Sequence, residues 1–230
     1  MRVYGEELLD KTMTQQEVFT VINHYKFIPL FNNDDAEISK LALQAAYDGG
    51  VRVFEFTNRS ANALEVFKAL VDYRNKNLKD LVLGAGTILN TKDAQAFRDV
   101  GSDFIVAPSI SVEVGIWCTE NNVFWCPGAA TLNEILLAQS LGADLVKIFP
   151  ANFLGGPSYL KALRGPCPDI QVLITGGVEP NEENLKAWFD AGATAVGMGS
   201  NLFDKKAMEQ KDFSSIQNLC NKITNIISKY

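Results

Sequence analysis

The sequence predicts an α/β fold, a (β/α)8 TIM barrel with an extra N-terminal helix. Three observations carry that prediction. Eight short apolar runs alternate with amphipathic segments, the pattern of a parallel sheet wrapped by crossover helices. Four of the runs start one to three residues after a glycine that closes a helix: Gly50, Gly101, Gly142 and Gly192. No Pro-, Ser- or Gly-rich linker divides the 230 residues, so residues 1–230 read as one domain, a length that suits a compact barrel. An open doubly wound sheet fits less well, because no GxGxxG opens a helix after the first strand.

The predicted strands are Phe27–Phe31, Val51–Thr57, Leu81–Ala85, Phe104–Ala107, Val123–Cys126, Leu145–Phe149, Gln171–Thr175 and Thr194–Met198. Each is short, apolar and rich in β-branched or aromatic residues, as a strand buried on both faces should be. Asp10–Tyr25 reads as the extra helix before the first strand. Asp34–Tyr47 opens on an Asp cap, and Ala61–Tyr73 follows Ser60 as its N-cap. Thr91–Val100, Ser111–Glu120, Thr131–Leu141 and Asn181–Ala191 each open on Ser, Thr or Asn, and Thr131-x-x-Glu134 is a capping box. The four glycines just past helix ends stand where a left-handed residue is wanted. Met208–Lys229 closes the chain as a single helix.

Composition narrows the function. The net charge is -6, from 21 Lys+Arg against 27 Asp+Glu, without the basic excess expected of a nucleic-acid binder. No apolar run is long enough to span a bilayer, and Met1–Lys11 lacks an apolar signal core, so a cytoplasmic protein is expected. Cys118, Cys126, Cys167 and Cys220 form no CxxC or zinc pattern. The single histidine, His24, rules out a His-rich zinc site, while a carboxylate-only magnesium site stays open.

Aligning the four glycine-led strands puts Glu55 and Lys147 at the same position of the repeat, flanked by Phe54 and Phe56 and by Val146 and Ile148. Side chains alternate along a strand, so the flanking apolar residues face the helices. Glu55 and Lys147 then face the barrel interior at about the same height. Two ionisable groups there are costly unless paired or used. Lys147 reads as an amine kept from water and nucleophilic enough to form an imine with a carbonyl carbon; the alternatives are a solvated edge lysine or a structural ion pair. Glu55 reads as a proton shuttle or as the counter-ion that positions Lys147.

Past the strand ends, Arg59 can grip a carboxylate in two-point fashion, or it is a solvated loop arginine. Thr87, in Gly84-Ala-Gly-Thr-Ile-Leu89, can bond a carboxylate or carbonyl, although the same motif makes a good helix start. Thr175-Gly176-Gly177 and Gly197-Met-Gly199-Ser200 follow the last two strands, where barrels place a phosphate on backbone N–H groups.

With these motifs in hand, the chain resembles the 2-keto-3-deoxy-6-phosphogluconate and 4-hydroxy-2-oxoglutarate aldolase family from about Phe27 to Phe203. The residues that carry the likeness are Glu55-Phe-Thr-Asn-Arg-Ser60, Gly84–Leu89, Pro127-Gly128, Val146-Lys-Ile-Phe-Pro-Ala151, Thr175-Gly-Gly177 and Gly199-Ser200. The resemblance implies a homotrimeric barrel and a Schiff-base lyase that needs no metal or other cofactor. It implies Lys147 as the imine-forming lysine and Glu55 as the acid/base. It assigns Arg59 and Thr87 to the substrate carboxylate, Gly176, Gly177 and Ser200 to the phosphate, and Pro108 to the pyruvate pocket. Ser109, Ala129–Thr131 and Asn201 depart from the family pattern and bear on the aldehyde half of the substrate. The implied substrate is a phosphorylated keto acid, with Arg59 and Thr57 favouring 2-keto-3-deoxy-6-phosphogluconate; 4-hydroxy-2-oxoglutarate is a second substrate, and the phosphogalactonate analogue the alternative. A metal-dependent epimerase and a non-catalytic phosphosugar-binding barrel are the competing classes.

Overall fold

The computed structural model describes residues 13–230. Nine parallel strands make one sheet: β1 (Phe27–Phe31), β2 (Val53–Thr57), β3 (Val82–Gly86), β4 (Phe104–Val106), β5 (Phe124–Cys126), β6 (Gly128–Ala129), β7 (Val146–Ile148), β8 (Val172–Thr175) and β9 (Ala195–Met198). β1 pairs with both β2 and β9, and the order runs outward from there to β5 at one end and β6 at the other. β5 and β6 are separated only by Pro127, which has no N–H for the ladder. The two form one stave, β5 pairing with β4 and β6 with β7, and this closes the sheet into eight staves. The Pro127 carbonyl still accepts from Lys147 N–H at 2.8 Å, so the break does not loosen the wall beside Lys147.

The helices are α1 (Gln15–Tyr25), α2 (Ala36–Asp48), α3 (Ala63–Asn77), α4 (Thr91–Asp99), α5 (Val112–Glu120), α6 (Leu132–Ser140), α7 (Pro157–Arg164), α8 (Glu182–Asp190), α9 (Lys205–Glu209) and α10 (Phe213–Ile227). α2 to α8 follow the staves in turn. Their apolar stripes pack on outward strand residues such as Phe54, Phe56, Val146 and Ile148. A second apolar cluster fills the lumen, with Ile28, Val53, Val82, Phe104, Phe124, Leu145, Leu173 and Ala195 in contact with Val18 and Ile22 of α1. α1 therefore plugs the N-terminal end of the barrel, and the C-terminal end is left open.

The eight predicted strands are all present, shortened by a residue or two at half of their ends, while β3 runs one residue further, to Gly86. The four glycines past helix ends have φ between 90° and 106°, as that position requires. The Thr131–Glu134 capping box forms. Four expectations are corrected. The first helix starts at Gln15 on a Thr14–Glu17 capping box, and residues 10–12 of the predicted helix lie outside the described residues. α3 starts at Ala63 after Asn62, not after Ser60, and has no side-chain cap. The closing helix is two helices, α9 and α10, parted by Lys211 at φ 52°. α7 was missing from the predicted elements; Pro157 at its first position supplies a preset φ where no N–H is needed.

A buried ion pair ties α3 to β3 and β4. Arg74 reaches the Asp103 carboxylate, and its Nη2 donates to the Gly101 carbonyl at 3.2 Å. The same Asp103 oxygen accepts from Leu83 N–H at 2.8 Å. Burial pushes the Asp103 carboxyl above its ordinary range, with Arg74 partly countering it. Asp103→Ala leaves the Arg74 guanidinium buried without its anion, and the expected cost is about 3–5 kcal/mol in urea unfolding. A loss below about 1 kcal/mol refutes this account of the pair.

Candidate active site

At the open end of the barrel the strand termini surround a cavity of about 440 Å³. Lys147 lies at its floor. β7 turns this side chain inward because Val146 and Ile148, its neighbours in sequence, pack outward on the helices. Lys147 is 5% exposed and Glu55 0%, and Lys147 Nζ stands 3.6 Å from Glu55 Oε1 across the lumen. Among the described residues neither Glu55 oxygen has a hydrogen-bond donor, so the ion pair is the interaction that holds the carboxylate. The register alignment of the four glycine-led strands thus placed both groups correctly.

Glycines make room for this pair. A methyl group on Gly86 would lie 1.9 Å from Glu55 Oε1, and one on Gly128 would meet the Pro108 carbonyl at 2.2 Å. Gly86 lets the carboxylate lie against β3. Gly128 lets the loop after β4 close in, which brings Pro108 to the cavity wall. Below the pair, burial pushes the Cys126 thiol far above its ordinary value, with Lys147 drawing it back only in part. The floor beneath the lysine is therefore apolar, and at neutral pH it offers no second anion.

Around the mouth, Arg59, Thr87, Pro108, Thr175, Gly176, Gly177, Gly199 and Ser200 all line the cavity. Glu55 is the one predicted site residue that does not reach the cavity surface; it lies behind Lys147. Arg59 Nε donates to Thr87 Oγ1 at 3.4 Å. Thr87 sits in the left-handed region at φ 61°, costly for a β-branched residue, and is held there beside Arg59. Gly176 and Gly177 follow β8 with φ of 89° and 75°, and a side chain on Gly177 would collide with Asn152. Thr175 Oγ1 donates to the Ile148 carbonyl at 3.4 Å, tying β8 to β7 just above the lysine. Two cations, Lys147 and Arg59, line the cavity among the described residues.

Sequence reasoning missed Asn32, Asn33, Phe203 and Met208, which also line the cavity. Continuing the alternation Ile28, Leu30, Asn32 one step past β1 would have found Asn32. Phe203 reaches the site by packing against Phe31 with the rings tilted and their centroids 4.6 Å apart, a long-range contact without a local signal. Among the described residues no group of three His, Cys, Asp or Glu side chains is placed to hold a metal ion.

Gly86→Ala overpacks the Glu55 pocket at a cost of about 1–3 kcal/mol. It should lower the urea midpoint, and combining it with Glu55→Ala should restore most of that loss; equal destabilisation in both backgrounds refutes the contact.

Residues 18–219 match the family of KDPG and KHG aldolases. A 2-dehydro-3-deoxy-6-phosphogalactonate aldolase of Escherichia coli K12 is 38% identical over 161 residues, 69% of this chain and 75% of that protein. A 2-dehydro-3-deoxy-phosphogluconate aldolase of Pseudomonas aeruginosa is 31% identical over 201 residues, 87% of this chain and 88% of that protein. The crystal structure of the KDPG aldolase from Legionella pneumophila, with pyruvate captured at low pH as a covalent carbinolamine, superposes with a TM-score of 0.81 at 25% identity and covers 89% of this chain and 97% of that one. The match spans every strand of the barrel and the walls of its one open end, and this chain belongs to the KDPG and KHG aldolase family.

Proposed function

We propose that this chain is a class I aldolase that cleaves 2-keto-3-deoxy-6-phosphogluconate to pyruvate and glyceraldehyde 3-phosphate through an imine on Lys147. The observation that carries this reading is the buried Lys147–Glu55 pair at the floor of a cavity open at one end. The amine needs a base to shed its proton, and Glu55 at 3.6 Å is placed to take it.

Neutral Lys147 attacks the C2 ketone to give a carbinolamine. Glu55, through water, delivers a proton to the departing hydroxyl, and water leaves to form the iminium. Glu55, again through water, then takes the proton of the C4 hydroxyl. The C3–C4 bond breaks, its electron pair moves to the iminium, and the product is an enamine of pyruvate plus the free aldehyde. Glu55 returns the proton to C3, and hydrolysis releases pyruvate and restores the amine. The iminium itself is the electron sink, so the scheme uses no metal and no cofactor.

Arg59 and Thr87, paired at 3.4 Å, would hold the carboxylate of the keto acid, with Pro108 against its pyruvyl group. The turned backbone at Gly176 and Gly177 would offer N–H groups to the phosphate, helped by Gly199 and Ser200. Thr175, tied to β7, would contact the substrate between the two ends. The unphosphorylated 4-hydroxy-2-oxoglutarate, giving pyruvate and glyoxylate, would be a second substrate. A second reading, cleavage of the phosphogalactonate analogue, is favoured by the 38% identity to the Escherichia coli enzyme of that name.

We read the assembly as a homotrimer in the cytoplasm. Val112 and Ile116 of α5, Leu136 and Leu137 of α6 and Phe153, which is 83% exposed, lie on three consecutive units of the barrel and would be covered by a neighbouring copy. The four free thiols fit a reducing compartment.

Borohydride added with pyruvate should fix a pyruvate-derived mass on the peptide bearing Lys147, and Lys147→Arg should abolish both the label and turnover. Label elsewhere, or turnover by the arginine variant, ends the scheme. Glu55→Gln keeps the shape of the side chain but removes the base; kcat for pyruvate release should fall by about 10²–10⁴. A drop below tenfold makes Glu55 a counter-ion only.

A further inference from the structure

Asn32 stands two residues beyond Leu30, in phase with Ile28, whose side chain lies in the lumen cluster, and it lines the cavity. Leu30 pairs in register with Glu55, so Asn32 lies one inward step nearer the mouth than the Glu55 level. Two bonds fix it there. Asn32 Nδ2 donates to the Thr57 carbonyl at 2.7 Å, and Thr57 Oγ1 donates to the Phe31 carbonyl at 3.3 Å. The bonds run in opposite directions between β1 and β2 and pin the two strand ends together.

A backbone carbonyl only accepts, so the amide NH2 group of Asn32 must face Thr57. The carboxamide oxygen is then left as an acceptor on a residue that lines the cavity, and among the described residues no hydrogen bond engages it. A fixed acceptor selects a donor. On the aldolase reading above, the ionised carboxylate of the substrate is a pure acceptor, and its phosphate is bound elsewhere. The C4 hydroxyl surrenders its proton to Glu55. The remaining donor near this level is the hydroxyl on the next carbon, the one beside the departing carbonyl.

We propose that Asn32 is a specificity-determining residue that accepts a hydrogen bond from the hydroxyl adjacent to the departing aldehyde carbon. It thereby favours hydroxylated aldehydes over those without that group. The proposal rests on the aldolase reading and adds the residue that reads the aldehyde half.

The test runs the reaction in reverse. Pyruvate is condensed either with D-glyceraldehyde 3-phosphate, which carries the hydroxyl, or with glyoxylate, which does not. In Asn32→Leu the ratio of kcat/KM for glyceraldehyde 3-phosphate to that for glyoxylate should fall about tenfold, the loss expected for one neutral hydrogen bond to substrate. A merely structural role would depress both condensations together and leave the ratio alone. Asn32→Ala serves as a second variant if leucine prevents folding, and borohydride trapping of pyruvate on Lys147 reports that the floor of the site is intact. A ratio within twofold of the unaltered protein, in a variant that still traps pyruvate, overturns the role of Asn32 alone. Failure of the unaltered protein to condense pyruvate with either aldehyde overturns the aldolase reading, and this proposal with it.

Discussion

The structure is organised around one costly juxtaposition, a lysine and a glutamate facing each other at 3.6 Å inside an otherwise apolar barrel. Neither charge would stay there alone, since water is displaced from both and each depends on the other. The surrounding residues supply what the pair needs. Gly86 gives the carboxylate its space, the inward turn of β7 aims the amine, and an un-ionised Cys126 below adds no competing charge. The pairing is loose for an ion pair, and among the described residues both carboxylate oxygens lack other donors, which on the proposed chemistry would leave Glu55 free to exchange protons.

From floor to mouth the character of the wall changes. Ionisable side chains line the bottom, whereas on the proposed chemistry the phosphate end would rely on the backbone at Gly176 and Gly177. Recognition by aligned N–H groups needs glycine, because a side chain at Gly177 would run into Asn152. Between these levels, Arg59 and Thr87 come from neighbouring staves and meet only through the fold. The apolar lumen, the charged pair and the glycine-rich mouth follow one another from the plugged end of the barrel to the open end.

Much of this was legible in the sequence because a parallel barrel repeats itself. The glycine that ends each helix sets the phase of the next strand, and the period-2 alternation then decides which residues look inward. That reasoning placed Glu55 and Lys147 together although 92 positions separate them in the chain. What it missed has specific causes. The apolar periodicity of residues 208–227 continues across a break made by Lys211, a residue that gives no warning of left-handed backbone. No helix was predicted between the strands at 145–149 and 171–175, although Pro157 opens α7 there. Ser60 and Asn62 are both fit to cap a helix, and the chain used the later one without a side-chain bond. Phe203 joins the site by contact with Phe31, which no local pattern encodes.

The helix that plugs the far end of the barrel has a consequence for traffic. With Val18 and Ile22 seated against the lumen residues, the reaction chamber is a blind well. Whatever is severed from the keto acid must climb out past the same rim by which it came in. On the proposed chemistry the fragment bearing phosphate sits uppermost and carries no tether, while the three-carbon remnant is still bonded to the bottom. Departure is therefore sequential by depth: the aldehyde goes first, and pyruvate follows only after water has descended to free it.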